Sequence, residues 1–457
     1  LENFLNMKKI LLSILIVVSP VFAMKEYYGL SRSLRALGMG GAFYGLSNDE
    51  YALFYNPAGL SLYEGRPKGM LNINGQIGSR TLSALKTKDS ISSSFDQQTV
   101  DALAQFQGDP IYAGAGLMPY YLMKHLAVGV LLSDVKADYL LSGKELDSQV
   151  DFTGIVDSGL LVGYGRSLIN ENLHVGVTAK GLARVGGRTS FTMAQLIQGD
   201  KVKLNPNDLG GAGFGIDFDL GAIYDIPYLP FGEANRVSLV INNLLATQFT
   251  MGSSSTGKPP GLVRTVSLGW HSVFSGRDIV DHVNVMADLA EFQIGGESDP
   301  EYGARTGKFL KHLNLGVEVP VGVLTLRTGL HQGYFTAGIG LNLTYFKLEL
   351  ATYGEELASG PGRLPSRRYG LTIALGAGTP NKPFKPTLKG KKVEKGSEEI
   401  EFKIKPKAPV APKIDPALEI SPSEPEKSGV APKAKPETKT EVKPETKSET
   451  KTKNEKL

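Results

Sequence analysis

The feature that most constrains this chain is a period-two alternation whose second face carries small or charged residues in mid-strand. From Leu313, positions Leu315, Val317 and Val319 are apolar, while Asn314, Gly316 and Glu318 fall on the other face. Phe335, Ala337, Ile339, Leu341 and Leu343 oppose Thr336, Gly338, Gly340 and Asn342; Phe346, Leu348 and Leu350 oppose Lys347 and Glu349. A strand that crosses a bilayer needs about 9 to 11 residues, one face to lipid and one to the lumen, and this pattern supplies both. A soluble β-sandwich alternates too, but Lys and Thr would dominate its solvent face. Here that face mixes Gly163, Gly165, Gly176, Gly316, Gly338 and Gly340 with isolated Asp217, Asp219, Asp288, Arg327 and Glu349. Small residues and paired charges suit a barrel interior that something occupies.

The same reading along the chain predicts strands at 69–78, 111–121, 125–140, 150–166, 173–188, 211–226, 236–248, 262–273, 282–291, 311–319, 323–330, 333–343, 345–353 and 367–377. The total is fourteen, and single-chain bacterial barrels have even numbers. With both termini periplasmic, inner turns should be short and outer loops long. Leu122 to Lys124, Ser167 to Asn172 and Pro320 to Gly322 are short; Ser79 to Pro110, Thr189 to Gly210, Phe292 to Leu310 and Gly354 to Ser366 are long. Three links break the alternation: His331-Gln332 is short for an outer loop, while Pro227 to Asn235 and Phe274 to Asp281 are long for inner turns.

Composition narrows the class. The 457 residues include no cysteine, which excludes a disulfide scaffold, a thiolate metal site and a Cys nucleophile. With 54 Gly and 41% hydrophobic residues the chain is too polar for a helical membrane bundle. The net charge is +4, and the last 80 or so residues alone contribute roughly +6, so the basic balance belongs to a tail and points to no nucleic acid. Lys8 and Lys9, the apolar run from Ile10 to Val18, and Val21-Phe22-Ala23 form a secretory signal with cleavage expected after Ala23. Beyond Ala377 the sequence turns to Pro, Lys, Glu and Thr, a composition expected to stay disordered and suited to the cell wall or a periplasmic protein. The expected organisation is therefore a signal peptide (1–23), an N-terminal hatch (24–66), a barrel (67–377) and a disordered periplasmic tail (378–457).

Between signal and first strand lies an irregular segment. Gly38, Gly40 and Gly41 disfavour a regular helix there. Asn48 or Asp49 can cap a short helix through Glu50 to Phe54, and Asn56-Pro57-Ala58-Gly59 reads as a turn with Gly59 in a left-handed position. The expected product is a glycine-hinged hairpin presenting Phe43, Leu53, Phe54, Tyr55 and Leu60.

Two blocks, R-A-L-G-M-G-G-A at Arg35 to Ala42 and A-L-F-Y-N-P-A-G-L at Ala52 to Leu60, make the chain resemble outer-membrane channels for long-chain fatty acids and hydrocarbons, the FadL and TodX type. It is also similar to the related PorV-type shuttle proteins. VSLVINNLL at Val237 to Leu245 and LRTGLHQGYFTAGIGL at Leu326 to Leu341 extend the likeness over roughly Met24 to Ala377. The resemblance implies a fourteen-stranded antiparallel transmembrane barrel in the outer membrane, with an N-terminal lumenal hatch and a hydrophobic small molecule as partner. It places Asn56, Pro57 and Ala58 beside the ligand cavity, with Phe43, Phe54, Tyr55 and Gly59 as further candidates. It also implies a lateral opening at a kinked strand, for which Gly114, Gly116 and Pro119 are the candidates. The alternative is a PorV-like platform for exported proteins.

Other motifs carry less. Gly252 to Lys258 begins like a P-loop, but Pro259 replaces the required Ser or Thr. The six histidines lack metal-ligand spacing, and no G-x-S-x-G signature marks a hydrolase, so neither a metal, a cofactor nor a catalytic residue is expected. Glu318, Arg327, Lys347 and Glu349, on neighbouring strands with opposite signs, are expected to form a lumenal charge ladder.

Overall fold

The computed structural model describes residues 29–86, 105–142, 149–169, 171–192, 210–227, 229, 231–250, 258–295, 309–343, 345–358 and 362–378. The expected signal peptide (1–23), the expected tail beyond Gly378 and most of the P-loop-like segment lie outside the described residues.

Fourteen strands form a closed antiparallel barrel: β1 (Lys68–Gly78), β2 (Ile111–Met123), β3 (Leu126–Ser142), β4 (Gln149–Leu168), β5 (Leu173–Thr192), β6 (Ala212–Asp225), β7 (Ala234–Asn242), β8 (Thr265–Ser275), β9 (His282–Gln293), β10 (Leu313–Val321), β11 (Leu324–His331), β12 (Tyr334–Asn342), β13 (Phe346–Glu356) and β14 (Pro365–Gly378). Each strand pairs with the next, and β14 closes on β1 from Lys68↔Gly378 to Gly78↔Arg368. Closure leaves no unpaired edge, the condition a sheet must meet in hydrocarbon.

Burial runs opposite to that of a soluble protein. Phe335, Leu326 and Leu371, on the outward face, are 59%, 50% and 41% exposed, whereas inward Arg327 and Glu318 are 8% and 2% exposed. Apolar side chains facing out and charges facing in require lipid outside, so the sandwich alternative fails and the chain is a transmembrane β-barrel. All fourteen expected strands are present. The clearest boundary error is β7, expected to reach residue 248 but ending at Asn242. There the Asp219 carboxylate accepts from Asn243 N–H, and Asp217 accepts from the N–H groups of Leu245 and Thr247. Asn243 and Ala246 take positive φ, so an apolar run is turned out of the ladder.

The N-terminal segment occupies the lumen. It contains a short helix α1 (Leu34–Gly38), a 3₁₀ turn at Glu50–Leu53 and a 3₁₀ helix at Pro57–Leu62. Asp49 caps the 3₁₀ turn, accepting from Tyr51 N–H at 2.9 Å, and Asn56 caps the 3₁₀ helix, accepting from Ala58 N–H at 3.1 Å. The helix takes in Gly38, where the glycine run disfavours one, and ends before Gly40 and Gly41, whose φ values are 68° and 78°. Gly59 is a correction: it is not left-handed. A side chain there would instead meet Ser47 O at 1.9 Å. Leu53 and Leu60 pack with Met118 and Leu122, whereas Phe43 and Tyr55 pack with Val240 and Met286. A segment that touches inward residues on strands this far apart around the sheet lies inside it.

At Gly114, Gly116 and Pro119, β2 is paired to β1 throughout. Pairing to β3 continues on either side of a bulge between Leu117 and Tyr120.

Candidate ligand cleft

The lumenal glycines have a specific use. A Cβ on Gly176 would stand 2.3 Å from Pro57 C and 2.4 Å from Ala58 N; on Gly165, 2.5 Å from Pro57 O; on Gly221, 2.0 Å from Asn56 Oδ1. On the far wall, Cβ atoms on Gly316 and Gly329 would meet the backbone of Met39 and Gly40 at 2.4 and 2.6 Å. These positions are sockets that let the segment's backbone lie against the wall. Asn56, Pro57 and Ala58 are thus wall-seated, while Gly59 packs on Ser47 within the segment; Asn56 Nδ2 donates to Tyr44 O at 2.8 Å and is fully buried.

Polar bonds complete the seating. Asp288 Oδ2 accepts from Phe43 and Tyr44 N–H at 2.6 and 2.9 Å. Thr336 Oγ1 accepts from Gly40 N–H and donates to Gly38 O. The four expected ladder residues form a continuous chain that the segment extends. Arg327 binds Glu318 at 2.8 Å and also Glu349, and Lys347 lies 3.7 Å from Glu349 and 3.3 Å from Glu50. Arg35 grips Glu318 through Nε and an Nη, both at 2.8 Å, and binds Asp49 at 2.9 Å.

Burial alone would raise the Asp49 carboxyl. The Lys347 ammonium and the Arg35 guanidinium, with hydrogen bonds from Arg35 and Tyr51 N–H, outweigh it and hold it below its ordinary value. A carboxyl depressed on folding adds stability that is present above about pH 4 and is lost as pH falls through its folded value. The seating is expected to loosen below about pH 4, with Asp49→Asn reducing that acid dependence. Protease accessibility of the segment against pH checks this, and an unchanged profile in the variant would remove Asp49 from the account.

Several histidines take part in lumenal hydrogen bonding. His331 lies within bonding distance of Gly40 O and Glu355, and His125 of Gly165 O. Ser61, His174 and Asp225 form a string with contacts of 2.7 and 3.4 Å, and Arg236 holds Asp225 at 2.8 Å. The residue types are those of a hydrolase triad. However, the Asp contact is longer than a good hydrogen bond, Ser61 already donates to Ala58 O, and the hydroxyl is buried. We read the string as a tether at the inner end of the barrel.

Between segment and wall an open cleft is lined by Tyr44, Phe54, Tyr55, Asn242, Asn243 and Thr265, with charged groups around them. Of the candidate ligand residues, Phe54 and Tyr55 line this cleft; Phe43 is buried beneath, its ring 5.3 Å from Tyr55 edge to face. Tyr44, Asn243 and Thr265 escaped sequence reasoning. The signal for Asn242 and Asn243 was the VSLVINNLL block, where two amides interrupt an apolar run.

No protein-family model matches this chain, and no curated protein does. Among solved structures it is similar to the CymD monoaromatic hydrocarbon channel, with 12% identity over 78% of this chain and 99% of that one and a TM-score of 0.41. The Ralstonia pickettii toluene transporter TbuX shows 12% identity over 78% and 99%, TM-score 0.38. The Pseudomonas putida toluene transporter TodX shows 10% over 79% and 100%, TM-score 0.39. Other similar structures include a Pseudomonas aeruginosa FadL homologue, CdiB from Acinetobacter baumannii and the translocator domain of autotransporter NalP from Neisseria meningitidis.

Proposed function

We propose that the protein is an outer-membrane channel for passive passage of small hydrophobic molecules, which move along the cleft between a lumenal plug and the barrel wall. The observation that carries this reading is the cleft itself: a lipid-facing barrel filled by its own N-terminal segment still leaves an opening floored by Tyr44, Phe54 and Tyr55. A concave opening with aromatic surface beside polar groups suits small ligands. Purified protein in lipid vesicles is expected to admit labelled hydrocarbons or fatty acids faster than protein-free vesicles. Equal rates for every tracer would sink the reading.

A second reading, a membrane platform that holds exported proteins, draws on the seating of the plug by glycine sockets and buried ion pairs, which suits a fixed stopper. A stable protein partner on pull-down, with no tracer admitted, would favour it.

A further inference from the structure

The cleft carries chemistry that separates one class of ligand from another. Its floor is aromatic: the Tyr44 and Tyr55 rings lie 5.5 Å apart, inclined by 54°, with Phe54 half-buried beside them. Its walls are polar, with three cations, Arg32, Lys180 and Lys311, against four acids, Asp219, Glu291, Glu355 and Glu356; Lys311 donates to Ala358 O at 2.7 Å. Lys180 donates to Asp219 and to Asn243 Oδ1, both at 2.6 Å, and Arg32 binds Glu355 at 3.2 Å. Glu356 accepts from the Tyr334 hydroxyl and from the N–H groups of Ala358, Arg363 and Leu364.

A ligand carboxylate would enter a cleft whose acids outnumber its cations. It would have to draw Lys180 or Arg32 out of a pair and leave a buried acid uncompensated, or take Lys311 from the Ala358 carbonyl among those acids, and either is unfavourable. A bare alkyl chain or hydrocarbon would strip water from the walls without replacing its hydrogen bonds. A ring that carries a hydroxyl does neither. Its face and edge match the aromatic floor, and its hydroxyl donates and accepts where Asn242 and Thr265 border the opening.

We propose that this cleft is a binding site for small neutral hydroxylated aromatics, of the phenol class, in preference to fatty acids or bare hydrocarbons. The proposal rests on the reading of the cleft as the ligand's path.

The test is calorimetric titration of the purified full chain in detergent with p-cresol, toluene, decanoate and glucose. p-Cresol is expected to bind about tenfold tighter than toluene or decanoate, the worth of roughly one well-placed hydrogen bond, and glucose not to bind. Thr265→Val, which keeps shape and removes a hydroxyl, is expected to erase most of the preference over toluene. Tyr55→Leu is expected to weaken both ring ligands alike, about tenfold. Toluene or decanoate binding as tightly as p-cresol, glucose binding equally well, or no binding at all would overturn the proposal. Vesicle uptake separates the two readings. Toluene entry without a cresol preference sinks the phenol proposal alone; cresol binding without entry of any tracer sinks the transport reading alone.

Discussion

Gly176→Leu is expected to unseat the lumenal plug while the barrel stays closed. The new side chain would start 2.3 Å from Pro57 C and 2.4 Å from Ala58 N, so it meets backbone that cannot swing aside. Overpacking of this kind costs about 1–3 kcal/mol, or roughly a 5- to 150-fold rise in the unseated population. Strand pairing from β1 to β14 does not depend on the contact, so the barrel should survive. Leak of a hydrophilic dye from vesicles is the measurement, with Gly181→Leu as control. Gly181 is on the same strand, faces outward, and a Cβ built there meets nothing within 4 Å. Equal leak from the two variants would deny that the glycines are sockets.

Glu318→Ala is expected to have the largest effect of any single charge removal. Glu318 receives Arg35 from the plug and Arg327 from β11, each at 2.8 Å, and all three side chains are largely shielded from water. Removing the carboxylate leaves two guanidiniums facing each other without their shared counter-charge. Breaking a buried pair in this way costs about 3–5 kcal/mol. Because the residues share one network, the losses should not add. Glu318→Ala combined with Arg35→Met should be less damaging than the sum of the two. Thermal unfolding of the four proteins in detergent checks this; additive losses would mean that Arg35 and Glu318 do not meet.

The strands were legible because lipid outside and a filled lumen inside impose opposite chemistry on alternate residues. Phe346, Leu348 and Leu350 against Lys347 and Glu349 record that division without any tertiary information. The ladder was half legible for the same reason: Glu318 and Arg327 sit on adjacent strands and Glu349 lies one strand further, across β12, so sequence order gives spatial order. Its plug partners were not. Arg35 lies 283 residues before Glu318, and nothing local in either segment encodes the pairing.

The glycines were read correctly as lumenal but for an incomplete reason. Gly165, Gly176 and Gly221 suggested room for an occupant, and the occupant they touch is the chain's own Asn56-Pro57-Ala58. The motif that family likeness set beside a ligand therefore faces the wall, while Phe54 and Tyr55 just before it face the cleft. The change of environment falls at Asn56, the cap from which the 3₁₀ helix starts, a distinction that depends on local geometry rather than composition.

The most direct test is a single engineered disulfide. A Cβ on Gly38 would lie 3.7 Å from Ala351 Cβ, close to the separation found in disulfides. The chain has no cysteine to interfere. Gly38→Cys with Ala351→Cys in membrane-inserted protein is expected to cross-link on oxidation, giving a reductant-sensitive gel shift that ties α1 to β13. A pair that stays reduced in a correctly closed barrel would contradict a plug seated in the lumen.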